Sequence, residues 1–152
     1  MLVVATPITV HGKKMQLLID KVDKDHLVDR LALPKLVEFA ERQEFDSPAV
    51  RDYLAGELAP YDLTQYSALV LGCTHFNYFK DTMRQLLPAN VQFVDGNEGT
   101  VRELIRRLRE RNQLEEQTPA VEYFYSGRRV TDDSELKRLE KYLSRLEQMY
   151  RI

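Results

Sequence analysis

Five consecutive residues, Ala68-Leu69-Val70-Leu71-Gly72, constrain the fold of this chain more than any other feature. An apolar run of that length leaves no polar face for water, so it reads as a strand of a parallel sheet covered on both sides. Parallel strands need crossover connections, and the flanking sequence alternates accordingly. Leu2 to Ala5 reads as another buried strand, Val28 to Leu33 as a strand stopped by Pro34, and Val91 to Val94 as a further one. Helical patterns lie between them. His11 to Val22 places Met15, Leu18 and Ile19 on one face, Leu36 to Arg42 is a short helix, and Asn77 to Leu87 is another. Ser47-Pro48 supplies a capping hydroxyl and a first-turn proline for a helix running to about Leu58. Asp95-Gly96-Asn97 is expected to turn into a helix from Glu98 to Arg111. A polar linker around Glu115 to Pro119 leads to a last strand, Val121 to Tyr125. From about Asp132 an amphipathic helix carries Leu136, Leu139, Leu143, Leu146 and Met149 on one face. The expected fold class is α/β, an open and mostly parallel sheet with helices on both faces.

Composition narrows the function classes. The 152 residues are 43 % hydrophobic and 30 % charged, enough to bury an ordinary core and unlike a disordered chain. Lysine and arginine (22) nearly balance aspartate and glutamate (24), which gives no electrostatic footprint for nucleic acid or an anionic membrane. Pro7 interrupts the first apolar run too early for a bilayer span or a signal peptide. A single cysteine excludes an internal disulfide and a zinc site built from several thiolates, and points to the cytoplasm.

In open α/β sheets ligands bind beyond the carboxyl ends of the strands. Three such ends carry useful chemistry: Thr6-Pro7-Ile8-Thr9, Gly72-Cys73-Thr74-His75 and Asp95-Gly96-Asn97. Glycine permits a tight turn after the strand. Cys73 and Thr74 then fall where backbone N–H groups are unpaired, and a thiol at a helix start ionises more readily than a free one. His75 is two residues away. The plain alternative is that Cys73 is a small buried apolar residue. His11 and His26 have no comparable context and read as surface residues.

The segment Leu69-Val70-Leu71-Gly72-Cys73-Thr74-His75-Phe76 resembles the second cysteine motif of the glutamate racemases, bacterial enzymes that supply D-glutamate for peptidoglycan. Ala5-Thr6-Pro7-Ile8-Thr9-Val10 is similar to the segment that opens the family's carboxy-terminal lobe. Pro34-Lys35-Leu36-Val37-Glu38-Phe39-Ala40-Glu41 resembles its Cys-Pro-x-Leu-Val-Glu segment, and Val94 to Thr100 its later Asp-Gly-x-Glu-Gly turn. The resemblance implies racemisation without metal or organic cofactor, through two thiols flanking the α-carbon, one taking the proton while the other returns one. It makes Cys73 one of those thiols, Thr74 a substrate-binding residue, and His75 a catalytic group that also binds substrate. Glu41 would be a catalytic carboxylate, with Glu38 the competing choice, and either is equally readable as a solvated helix residue. Thr9 matches a substrate-side hydroxyl, or simply caps the next helix. The Thr-His pair after Cys73 favours glutamate over aspartate.

Departures from the family pattern qualify this. The Asp-Ser, Pro-Tyr-Gly and first Cys-Asn-Thr motifs of the amino-terminal lobe are absent, Leu33 stands where many relatives have cysteine, and Asn77 replaces a proline. The expectation is a carboxy-terminal lobe over residues 1–114. Residues 115–152 would be a linker, strand and helix that normally complete a missing first lobe. Such a chain would be inactive alone and would pair with that lobe or with a second copy. A non-catalytic α/β binding module derived from the racemase is the alternative.

Overall fold

The computed structural model describes residues 1–114, 118 and 120–152. It divides into two compact units, Met1–Asp95 together with Leu146–Ile152, and Gly96–Arg145.

The first unit is built on β1 (Leu2–Ala5), β2 (Asp29–Ala32), β3 (Ala68–Leu71) and β4 (Gln92–Val94). All are parallel, in the order β2-β1-β3-β4. Every residue of β1 is buried, as a central strand without a polar face requires. Val4 lies opposite Leu31 on one side and Leu71 on the other. Flanking helices are α1 (Pro7–Val10), α2 (Lys13–Val22), α3 (Pro34–Glu41), α4 (Pro48–Leu58) and α5 (Lys80–Leu86). The i, i+4, i+8 set Val50, Leu54 and Leu58 of α4 is buried, and so are Leu36, Phe39 and Ala40 of α3. Ser47 caps α4 by accepting the Val50 N–H at 3.4 Å.

Two expectations for this unit change. Helical backbone begins directly after Cys73, as a 3-10 helix over Thr74–Phe79, and becomes α-helical only at Lys80. The apolar face of α2 is not part of the core: no residue of α2 is buried, and Leu18 is 55 % exposed. Periodicity identifies a face but not what covers it.

The second unit holds α6 (Asn97–Glu110), a hairpin of β5 (Phe124–Tyr125) and β6 (Arg128–Arg129), and most of α7 (Asp133–Met149). Of the last strand read over Val121 to Tyr125, part is present. Only its last two residues are extended, in an antiparallel pair. The cause is the connection Ser126-Gly127, both at positive φ (46° and 84°), which reverses the chain in two residues. The Asp132 carboxylate accepts the N–H groups of Ser134 and Glu135 and so starts α7. Most of the polar linker read around Glu115 to Pro119 lies outside the described residues. Among those described, no helix is long and apolar enough to cross a membrane.

Candidate functional site

The strand order fixes where a ligand can sit. From β1 the chain proceeds to β2 on one side, while β3 and β4 build outward on the other, so the topological switch point lies between β1 and β3. The segments leaving those two strands are Thr6 to Thr9 and Gly72 to His75.

Gly72 allows the two strand ends to converge. Its N–H donates to the Val4 carbonyl at 2.8 Å. A Cβ there would lie 3.0 Å from the Ala5 Cβ and 3.2 Å from the Val4 oxygen. The glycine answers to close strand approach, not to a left-handed turn. Cys73 follows in extended conformation, half-buried, and precedes the 3-10 helix. One turn of that helix brings the His75 ring back towards it, with Nδ1 at 3.8 Å from Sγ. The other ring nitrogen, Nε2, lies 3.2 Å from Oε1 of Glu41 at the end of α3. Three residues from two elements thus form a continuous thiol–imidazole–carboxylate chain. If the Glu41 carboxylate accepts the Nε2 proton, the neutral ring presents a lone pair at Nδ1 to the thiol, which lets it act as a base.

Of the two carboxylates open at the sequence level, it is Glu41 that reaches His75. Glu38 lies instead near Tyr53, where burial first, then the negative charges of Glu57 and Glu38, push the phenol up to about 12. Thr9 does not cap α2, whose cap position is Gly12. Its hydroxyl is 3.1 Å from that of Thr6, which pairs the two side chains after β1. Thr9 also lines a groove of about 500 Å3 with Ile8, Gly12, Lys13, Met15 and Leu18. Thr74 is exposed, and its carbonyl accepts from the Asn77 amide at 3.3 Å. Asn77 is buried, and its Oδ1 has no hydrogen-bond partner among the described residues.

Sequence reasoning missed Lys80. Its ammonium is 2.9 Å from Asp95 Oδ2, and the two side chains are only 12 % and 18 % exposed. This ion pair ties the first residue of α5 to the carboxyl end of β4. No local signal distinguishes that lysine from any other on a helix. Among the described residues no cluster of three His, Cys, Asp or Glu side chains is placed to hold a metal ion.

No protein-family model matches the chain. It is similar to the glutamate racemase of Campylobacter curvus, at 53 % identity over 99 % of this chain and 57 % of that protein. It is also similar to that of Lachnospira eligens, at 47 % identity over 99 % of this chain and 58 % of the relative. The chain therefore spans little more than half the length of the curated relatives it matches. The crystal structure of a Francisella tularensis glutamate racemase in complex with D-glutamate shares the fold, with a TM-score of 0.67 at 24 % identity, over 77 % of this chain and 44 % of that one. The family resemblance read from four motifs thus extends along almost the whole chain.

Proposed function

We propose that this chain is the carboxy-terminal part of a glutamate racemase and carries one face of its active site. The observation that supports this most is the chain Cys73–His75–Glu41 beside the paired hydroxyls of Thr6 and Thr9 at the switch point. The α-proton of glutamate is weakly acidic, because the carbanion left behind lies next to a carboxylate. Its removal needs a strong, positioned base and donors for the developing charge. In the proposed reaction the Cys73 thiolate, its proton held on His75 Nδ1, takes the α-proton from one face and becomes a thiol. An acid on the opposite face delivers a proton to the carbanion. Run in reverse, the Cys73 thiol delivers its proton to the carbanion and returns to the thiolate, while His75 keeps its own proton. Glu41 holds the ring and favours its protonated form. Thr9 and Thr74 supply hydroxyls to the substrate, and neither metal nor organic cofactor takes part.

Inversion requires acid/base groups on both faces, and Cys73 is the only thiol of these 152 residues. The second thiol then comes from residues outside them, in an amino-terminal lobe or a second copy, and the chain by itself does not invert glutamate. D-glutamate made this way would serve peptidoglycan synthesis, in the cytoplasm. The test is incubation with L- or D-glutamate in deuterated water, following deuterium at the α-carbon and configuration. No inversion is expected, and any exchange should be confined to one enantiomer and abolished in Cys73→Ser. Inversion that is lost in Cys73→Ser would mean that a second copy supplies the opposite thiol. Inversion that survives that substitution would overturn the reading.

A further inference from the structure

His75 is 34 % exposed and its carboxylate partner Glu41 59 %, so water competes with the ion pair that orients the ring. An imidazole that must keep Nδ1 facing a thiol needs a firmer support. In a 3-10 helix residues three apart eclipse, which brings Tyr78 over His75. The two rings are 6.4 Å apart between centroids at 67°, an edge-to-face arrangement within the attractive range. Tyr78 is itself fixed: its ring lies 5.2 Å from that of Phe45, which in turn lies 6.2 Å from Phe79. Phe45 and Phe79 are buried core residues. A line of aromatic contacts therefore runs from the core of the first unit to the imidazole.

We infer that Tyr78 is a positioning residue for His75, acting through its ring. The inference rests on the proposed role of His75 toward Cys73. Facing His75, among the described residues, are the Cys73 thiol, the Glu41 carboxylate from α3 and the Tyr78 ring.

Cys73 is the single cysteine, so its alkylation by iodoacetamide at neutral pH reports one site in the full chain. His75→Gln is expected to slow alkylation. Tyr78→Leu should be about threefold slower, the scale of one aromatic pair. In the His75→Gln background Tyr78→Leu should have no further effect. A Tyr78→Leu rate equal to that of the unsubstituted chain, or an equal slowing in both backgrounds, overturns the inference while leaving the role of His75 intact. If His75→Gln itself changes nothing, the role assigned to His75 fails first and the inference with it. Should Tyr78→Leu not fold, the unsubstituted protein still decides the matter. A proton cross-peak between the two rings is expected in its spectrum, and absence of that cross-peak overturns the inference.

Discussion

Replacing Lys80 by methionine leaves the Asp95 carboxylate, 18 % exposed, without its ammonium partner. At 2.9 Å the attraction is about 6 kcal/mol for an effective dielectric constant of about 20. Part of this is returned, because methionine has no charge to desolvate. Loss of one partner of a buried pair costs about 3–5 kcal/mol, and residual water contact on both side chains places this pair at the lower end, about 3 kcal/mol. For a chain of this length that corresponds to a drop of about 6–12 °C in Tm. The assay is urea unfolding followed by circular dichroism, with Asp95→Asn and the double variant closing a thermodynamic cycle. A coupling energy of about 2 kcal/mol is expected, hardly changed by molar salt because the pair is shielded from solvent. The exposed pairs of Glu103 with Arg106 and Arg107 provide the contrast, since salt should erase their contribution. A loss below about 1 kcal/mol in Lys80→Met, or coupling that vanishes in salt, would refute the claim that this pair fastens α5 to the end of β4.

Three further outcomes follow from the structure. Glu41→Gln should slow alkylation of Cys73 while changing stability by less than about 0.5 kcal/mol, because the ion pair is exposed, whereas Glu38→Gln should leave the thiol unaffected; equal rates in both variants would remove Glu41 from the site. Gly72→Ala should cost about 1–3 kcal/mol in urea unfolding, since its methyl group would press on Ala5 and on the Val4 carbonyl within the sheet. Tyr53 and Tyr66 are both pushed up to about 12, Tyr53 mainly by burial and Tyr66 by burial and then its hydrogen bond to Asp29. The raised values favour the neutral phenols in the folded state, so their stabilisation is complete below the unfolded value of about 10 and is lost as pH rises through about 12. Ultraviolet titration should find Tyr53 and Tyr66 among the late-ionising of the eight tyrosines, and Tyr66→Phe should reduce the late fraction by one.

Much of the first unit is legible in the sequence because its signals are local. The unbroken apolar run at β3 admits one environment, and Ser47-Pro48 carries its own cap and first-turn geometry. Other features depend on where elements meet. Glu38 and Glu41 are three residues apart on one helix and chemically identical, and only the docking of α3 against the 3-10 helix gives His75 to one of them. Gly72 can be flagged as a turn residue, but its reason is the approach of β1, which no local pattern encodes. Lys80 is invisible until β4 brings Asp95 to it. The strand expected at Val121 to Tyr125 is found shortened to Phe124–Tyr125: β-branched and aromatic residues announce extended backbone, while the Ser126-Gly127 reversal just after them decides its pairing partner.

The most direct test of the central claim is a titration of the chain's amide resonances with glutamate. Shifts that saturate and concentrate on Thr6 to Thr9 and Gly72 to Phe76, the segments beside the switch point, are the predicted result. Glutamate that leaves both segments unmoved while Cys73 and His75 remain folded in place would contradict it.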